Sequence, residues 1–255
     1  MTFHPVIFLG AGPGDPELVT VKGKRALEAA DLILYAGSLV SEAVLAWGKT
    51  DAERVDTAPL ALDEIVSRMI EGYRKGRRVV RVHSGDPALY GAIQEQMDLL
   101  HAEKVAFQVI PGVTAAFATA AAIRRELTIP ELTQTVILTR AAGRTPVPRA
   151  EALESLAAHG ATMAIYLSAA RIRQVVHDLL ASYPPETPVV VAHRVSWPDE
   201  RILFGTLSDI AEKVEKADIT RQAIILVGPA LEGGTARSRL YDRKFSHGFR
   251  TGEGG

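Results

Sequence analysis

The chain contains no cysteine among its 255 residues. It therefore has no disulfide, no thiolate nucleophile and no cysteine-ligated zinc or iron–sulfur site. Its seven histidines lack the spacing of metal ligands. The sequence also lacks the G-x-x-x-x-G-K-[ST] phosphate loop, the H-E-x-x-H helix of zinc proteases and the G-x-S-x-G turn of serine hydrolases. We therefore expect no metal and none of these reaction classes.

A strong excess of one charge and long apolar runs are also missing. The formal net charge is −1, whereas a nucleic-acid coat or a membrane-bound surface needs a large basic excess. The most apolar stretch, residues 113–123, ends at Arg124 and is too short for the roughly 20 residues of a membrane span. The first residues do not have the pattern of a secretory leader. We expect a cytoplasmic protein with no nucleic-acid or membrane partner.

Hydrophobic residues make up 47% of the chain, enough to fill ordinary cores. Short apolar runs alternate with amphipathic stretches, and after a polar stretch at 124–133 the alternation starts again. This pattern predicts an α/β fold of two tandem α/β domains with mainly parallel sheets and a ligand cleft between the domains. The predicted boundaries are an N-terminal domain at 1–123, a linker at 124–133, a C-terminal domain at 134–232 and a polar tail at 233–255.

Three loops that directly follow predicted strands of the first half are rich in glycine, proline and small residues. They are loop 1 (residues 10–16, GAGPGDP), loop 2 (residues 83–87, HSGDP) and loop 3 (residues 111–116, PGVTAA). Glycine lets a ligand approach the backbone closely, and the carboxyl ends of parallel strands meet at one edge of a sheet. Such loops, without a nucleophile or a metal, suit a cofactor that supplies its own reactive atom.

Each loop also has a simpler interpretation. Loop 1 is compatible with an ordinary strand-to-helix turn. As a dinucleotide fingerprint it fits poorly, because Asp15 replaces the third glycine and Pro13 lacks an N–H. Asp31 is at the right distance for a ribose-binding acid but precedes its strand, at the opposite edge of the sheet. Asp86 is compatible with a helix cap, and Thr114 with a capping or packing residue.

Residues 9–23 (LGAGPGDPELVTVKG), 84–91 (SGDPALYG) and 110–116 (IPGVTAA) resemble, in this order, the three signatures of the S-adenosylmethionine-dependent tetrapyrrole methylases. Further segments are similar to members of that family that act on corrin precursors, namely residues 34–40, 85–97, 129–140 and 196–201. The resemblance implies a homodimer. It also implies transfer of a methyl group from S-adenosylmethionine, with S-adenosylhomocysteine as product, to a tetrapyrrole.

The resemblance further implies which residues contact the cofactor. They are Pro13, Ser84, Gly85, Asp86, Leu89, Thr114, Ala115, Leu167 and Val195. One departure concerns the relatives that methylate uroporphyrinogen III, which carry an aspartate, proposed as a base, after the tyrosine of the second strand. Here Ala36 follows Tyr35, and the lysine proposed as their proton donor has no match near residues 55–62. We therefore nominate no catalytic acid or base.

A tetrapyrrole carries many carboxylates, and arginine binds carboxylates through two N–H groups at once. The predicted substrate contacts are Tyr35, Ser38, Arg140, Arg144 and Arg194, although each arginine is also compatible with a solvated surface position. Methyl transfer from an activated sulfonium to an electron-rich carbon depends mainly on holding the two in near-attack geometry. Such positioning can supply roughly 7–11 kcal/mol of the barrier.

Three alternatives remain open from the residues alone. One is a methylase of the same family that acts on another tetrapyrrole position. Another is an NAD-dependent oxidoreductase, against which the mismatches in loop 1 count. The third is a non-catalytic nucleotide-sensing module, since no side chain is unmistakably catalytic.

Overall fold

The computed structural model describes residues 3–233, 238 and 242–251, apart from the side chain of Ser38. The chain forms two compact units. The first comprises Met1–Thr119 with Arg194–Glu200, and the second comprises Ala120–His193 with Arg201–Gly255. Much of the predicted tail lies outside the described residues. The domain boundaries and the ligand cleft predicted from sequence stay predictions.

The first unit contains a five-stranded, fully parallel sheet in the order β3-β2-β4-β1-β5. Its strands are β1 (Val6–Gly10), β2 (Leu32–Tyr35), β3 (Glu53–Asp56), β4 (Val79–His83) and β5 (Phe107–Ile110). The helices are α1 (Val21–Ala29), α2 (Glu42–Leu45), α3 (Leu62–Arg74), α4 (Ile93–Ala102) and α5 (Ala115–Ala122), which continues past residue 119 into the second unit. Apolar clusters on both faces of the sheet bury β1, β2 and β4.

Local sequence signals fix where these helices begin. The Thr20 side chain accepts a hydrogen bond from the Gly23 N–H, at 3.0 Å, and so caps α1. Gly23 also lets α1 approach the sheet, because a Cβ there would lie 2.6 Å from Leu9 Cδ1. At the start of α3, Glu64 accepts the Ala61 N–H at 2.8 Å. These contacts mark where the connections that follow β1 and β3 at the carboxyl edge of the sheet end.

The second unit contains a mixed five-stranded sheet in the order β6-β7-β10-β8-β9. Its strands are β6 (Val136–Arg140), β7 (Thr162–Tyr166), β8 (Pro188–His193), β9 (Arg201–Thr206) and β10 (Ala223–Val227), and its helices are α6 (Leu153–Ala157), α7 (Ile172–Leu179) and α8 (Ile210–Lys216). Only β6 and β7 pair in parallel, whereas β10 is antiparallel to β7 and β8, and β9 is antiparallel to β8.

The α/β fold with two sheets is confirmed, but the expectation of mainly parallel strands holds only for the first sheet. The antiparallel strands of the second sheet were not predicted, because a strand whose residues are all apolar gives no sequence signal of its direction. Residues Val189 to Ala192 of β8 are buried on both faces, so they show none of the alternation that marks a half-exposed antiparallel strand. The short polar edge strand β3 was also missed, because Glu53–Asp56 carries no apolar run.

Candidate functional site

The three glycine-bearing loops follow adjacent strands at the carboxyl edge of the first sheet. Loop 1 follows β1, loop 2 overlaps the end of β4, and loop 3 follows β5. The Ala11 N–H donates to the His83 carbonyl at 2.8 Å. Gly12 and Gly85 exchange two backbone hydrogen bonds, of 3.2 and 2.7 Å. Loops 1 and 2 are therefore joined directly through their backbones.

Loop 3 is brought against both of the others by contacts that only glycine permits. A Cβ at Gly10 would lie 2.5 Å from the Gly112 nitrogen and 2.7 Å from the Gly85 carbonyl oxygen. A Cβ at Gly112 would collide with that same carbonyl oxygen and would lie 2.8 Å from Gly10 Cα. Gly10, Gly85 and Gly112 thus form a junction of three backbones, which we call the glycine junction.

Asp86 ties loop 2 to loop 3. One carboxylate oxygen accepts the Ala88 N–H at 2.8 Å, and the other accepts the Gly112 N–H at 2.9 Å. The first bond is a local turn of the kind that the helix-cap interpretation suggests, although α4 begins only at Ile93. The second bond spans the site and holds the Gly112 peptide in place. The aspartate is therefore a structural link between two loops of the site.

Gly85 and Thr114 lie side by side at this junction, and we call the place where they meet the cradle. Gly85 has φ +64°, and a Cβ there would meet nothing closer than Thr114 Cα at 3.9 Å and the Val113 carbonyl oxygen at 4.0 Å. Ser84 is exposed, and Thr114 and Ala115 are half-buried. Gly85 and Thr114, both predicted cofactor contacts, are thus close neighbours, and a methyl group at Gly85 would only reach van der Waals contact with loop 3.

Backbone strain is concentrated just beyond loop 2. Tyr90 and Ala92 have positive φ values of 57° and 48°, although neither is glycine. Gly91 lies between them, and a Cβ there would collide with the Pro87 carbonyl. Leu89, a predicted cofactor contact, is half-buried at the start of this segment. Strained residues of this sort are enriched at ligand sites, where the surrounding structure holds them in place.

The remaining predicted contacts of the first unit lie on two further segments. Tyr35 is half-buried at the end of β2, where its carbonyl accepts the Thr57 hydroxyl and N–H. The side chain of Ser38 lies outside the described residues. Arg194 is paired with Asp199 at 2.8 Å and lies over the Trp197 ring, while Val195 is buried. Their roles stay predictions.

Pro13 has a partner that the sequence analysis did not identify. Its carbonyl accepts the Trp197 indole N–H at 2.7 Å. Next to it, the Asp15 N–H donates to the Ser196 hydroxyl at 3.0 Å. Residues 196–201 were recognised only as a segment similar to the family. No local pattern indicates that they contact a loop more than 180 residues earlier.

Leu167, Arg140 and Arg144 belong to the second unit, where their predicted roles stay predictions. Leu167 follows β7 with φ +55° and is 76% exposed, an unusual state for a large apolar side chain. The Arg140 guanidinium donates to the backbone carbonyls of Ala141, Thr145 and Pro146. It therefore supports its own loop, whereas Arg144 in that loop is exposed.

Arg81 and His83 are two buried basic side chains on the same face of β4. Arg81 is buried without a carboxylate partner among the described residues, and burial lowers its pKa to about 10, so it keeps its charge near neutral pH. Burial, and then the nearby Arg81 charge, lower the pKa of His83 to about 3. His83 is therefore neutral near pH 7 and is enclosed by protein, which does not favour a role in proton exchange with solvent.

The depressed pKa of His83 has a consequence for stability. The unfolded chain binds a proton near pH 6.5 and the folded chain near pH 3, so stability falls as pH drops through this window. We expect this residue to contribute about 1.4 kcal/mol per pH unit to that fall. Urea titrations between about pH 7.5 and pH 4.5 should give a shallower loss for His83→Asn than for the wild type. Equal slopes would contradict the assignment.

Asp31 has a structural role at the other edge of the sheet. Its carboxylate accepts the Arg78 N–H at 2.9 Å and pairs with Lys49 at 2.7 Å. These two contacts, the backbone hydrogen bond first, hold its pKa below the usual value. It precedes β2 and so lies away from the loops, which is the position expected from sequence and unsuitable for gripping a ribose there.

Among residues 3–233, 238 and 242–251, no group of three or more histidine, aspartate or glutamate side chains is arranged to hold a metal ion. No helix in that part of the chain combines the length and apolarity needed to cross a bilayer.

A family model and a curated relative both match this chain over most of its length. Residues 5–211 match the family model of tetrapyrrole (corrin/porphyrin) methylases. The chain is 50% identical over 247 residues, 96% of its length and 95% of the relative's, to a cobalt-precorrin-4 C(11)-methyltransferase of Methanocaldococcus jannaschii.

Solved structures of tetrapyrrole methyltransferases also resemble this chain. A cobalt precorrin-4 methyltransferase has 50% sequence identity and a TM-score of 0.87, covering 89% of this chain and 95% of that one. A uroporphyrin-III C-methyltransferase from Thermus thermophilus, complexed with S-adenosylhomocysteine, has 29% identity and a TM-score of 0.76, covering 90% of this chain and 99% of that one.

Proposed function

Because this chain belongs to the tetrapyrrole (corrin/porphyrin) methylases, we propose that it transfers the methyl group of S-adenosylmethionine to carbon 11 of precorrin-4, giving precorrin-5. The observation that carries the proposal is the junction of three loops, with Gly85 beside Thr114, whose sequences resemble the family's signatures. The ring position rests on the 50% identity to proteins named for that reaction. An NAD-dependent oxidoreductase has no comparable support.

The residues of the cradle suit the methyl donor. Ser84, Gly85 and Thr114 would line its seat, with Pro13 and Leu89 at its margins. The donor supplies an already activated methyl group. The protein therefore needs to bind, orient and shield the reactants more than to provide a strong base.

The chain's own groups are consistent with such a positioning role. His83, the histidine next to the cradle, is buried and neutral near pH 7, and Asp86 is engaged with two backbone N–H groups. Rigid backbone contacts at the junction fix the loops before any ligand arrives. Pre-ordering of this kind reduces the conformational entropy lost on binding and contributes to near-attack geometry.

The direct test combines binding with product mass. The purified protein is titrated with S-adenosylhomocysteine by calorimetry and incubated with S-adenosylmethionine and precorrin-4, both metal-free and as the cobalt complex. Uroporphyrinogen III serves as the control acceptor. We expect donor binding and a mass gain of one methyl group on a precorrin-4 form, at carbon 11 by NMR. Methylation of the control alone, or NAD binding without donor binding, would overturn the proposal.

Arg144 offers a test of the substrate side. Because Arg140 already supports the backbone of residues 141–146, we propose that the exposed Arg144 is the cation of this loop that meets a substrate carboxylate. We expect Arg144→Gln to raise the KM for the tetrapyrrole roughly threefold to tenfold, the effect of about 1 kcal/mol, with the KM for the donor unchanged. The exposed Arg68→Gln on α3 is the control. An unchanged tetrapyrrole KM would refute this role.

The homodimer implied by the resemblance also stays a prediction. Sedimentation of the purified protein over a range of concentrations would test it, and a monomer at all concentrations would be the contrary result.

A further inference from the structure

Residues 194–200, which connect β8 to β9, hold loop 1 through side-chain contacts. The Trp197 indole N–H donates to the Pro13 carbonyl at 2.7 Å, and the Ser196 hydroxyl accepts the Asp15 N–H at 3.0 Å. The indole ring also lies against Gly14 so closely that a Cβ there would collide with it. Three successive residues of loop 1 are thus fixed by two residues of a distant segment, which we call the clasp.

The clasp is itself a rigid structure. Arg194 and Ser196 both have left-handed backbones, with φ of 50° and 66°, on either side of the buried Val195. The Arg194 guanidinium lies 4.0 Å from the centre of the Trp197 ring. Strained residues persist only where their surroundings hold them, and an arginine over an indole ring adds cation–π attraction.

Polar contacts within the clasp fix it further. The backbone N–H of Trp197 donates to the Arg194 carbonyl at 3.0 Å, and the backbone N–H of Ser196 donates to the Glu200 carboxylate at 2.6 Å. The Arg194 guanidinium pairs with Asp199 at 2.8 Å. The indole is therefore presented to loop 1 in one defined orientation.

Loop 1 needs an external partner because of its composition. Backbone hydrogen bonds to loop 2 hold Ala11 and Gly12, but Gly14 gives the following residues conformational freedom and Pro13 has no N–H to anchor the turn from within. Fixing the backbone of one residue costs on the order of 1–2 kcal/mol of conformational entropy. A segment that orders loop 1 in the free protein removes this cost from ligand binding.

We propose that the clasp presets loop 1 for the methyl donor and that Trp197 is its principal positioning residue. This inference rests on the proposed function, since Pro13 is a predicted donor contact. Trp197 acts through the Pro13 carbonyl and the space beside Gly14. Its loss should therefore affect affinity for the donor more than affinity for the tetrapyrrole.

The chain offers a matched control because it contains only two tryptophans. Trp47 lies under the Lys24 ammonium group, and its indole nitrogen is buried without a hydrogen-bond partner among the described residues. Trp197→Phe removes the donor to Pro13 and keeps an aromatic ring. Trp47→Phe makes the same chemical change away from loop 1. Ser196→Ala tests the second contact independently.

Three measurements on the full-length variants test the proposal. Calorimetry should show an S-adenosylhomocysteine Kd about tenfold higher for Trp197→Phe, consistent with the loss of one partly buried hydrogen bond. The increase should be smaller for Ser196→Ala, and Trp47→Phe should bind like the wild type. The KM for the donor should rise with the Kd, while the KM for the tetrapyrrole stays unchanged because phenylalanine still provides a ring beneath Arg194, a predicted tetrapyrrole contact. Hydrogen exchange at the Gly14 and Asp15 amides should accelerate in Trp197→Phe.

The outcomes separate this inference from the proposed function. If the wild type binds S-adenosylhomocysteine and Trp197→Phe binds it equally well, with unchanged exchange at Gly14 and Asp15, the clasp has no positioning role. If the wild type does not bind it, the proposed function fails, and with it the donor-related role of the clasp. Faster exchange would then support only the contact between the clasp and loop 1. Equal weakening of donor and tetrapyrrole binding in Trp197→Phe would indicate general misfolding and would also overturn the inference.

Discussion

Gly112→Ala is expected to weaken donor binding strongly. The added methyl group would collide with the Gly85 carbonyl oxygen and lie 2.8 Å from Gly10 Cα, and both neighbours are backbone atoms that no rotamer change can move aside. Loop 3 must then shift away from loops 1 and 2. Overpacking of this kind costs about 1–3 kcal/mol, so we expect a Kd for S-adenosylhomocysteine roughly 5- to 150-fold higher by calorimetry.

The control for this prediction is Gly143→Ala. Gly143 lies in the exposed connection after β6, and a Cβ there would meet nothing within 4 Å. The same chemical change should leave both donor affinity and urea stability at wild-type values. Wild-type donor affinity in Gly112→Ala would show that the glycine junction does not shape the site.

Asp86→Ala is the second change with a large expected effect. It removes the acceptor of the Gly112 N–H and the acceptor of the Ala88 N–H together. Hydrogen bonds to a charged group contribute about 1.5–3 kcal/mol each, less where water can replace the lost partner. Since Asp86 is only half-buried, we expect a total loss of about 1.5–3 kcal/mol, seen as a roughly 10- to 100-fold lower kcat/KM for the donor.

Asp86→Asn distinguishes a structural link from a simple charge effect. The asparagine amide has one acceptor oxygen, so its NH2 group must face one of the two backbone N–H groups. We expect it to be impaired nearly as much as Asp86→Ala. Asp98→Ala on α4, where the carboxylate accepts the Gln94 side chain, should behave like the wild type. Full activity of Asp86→Asn would mean that one hydrogen bond is enough to hold loop 3.

Several features of this molecule follow from local sequence. β1 and β4 are short, fully apolar or nearly apolar runs that end in glycine-rich loops, and the helix between 62 and 74 has clear 3.6-residue spacing. Once β1, β4 and β5 are taken as parallel neighbours, their following loops must share one edge. The proximity of Gly85 and Thr114 could therefore be anticipated without coordinates.

Other features depend on contacts that no local pattern records. The partner of Pro13 is Trp197, and nothing in SWPDER distinguishes a residue that contacts loop 1 from one that faces solvent. The binding of Arg140 to its own loop depends on the backbone path of residues 141–146, which composition does not specify. Pairing direction in the second sheet is decided by chain connectivity and packing, since β8 and β10 are buried on both faces.

We propose that the glycine junction and its neighbours seat the methyl donor. A crystal structure of the protein with bound S-adenosylhomocysteine would test this. We expect ligand density against Gly85 and Thr114, within contact distance of Pro13, with Asp86 still bonded to the Gly112 N–H. Density at any other place, with the space at Gly85 filled only by solvent, would contradict it.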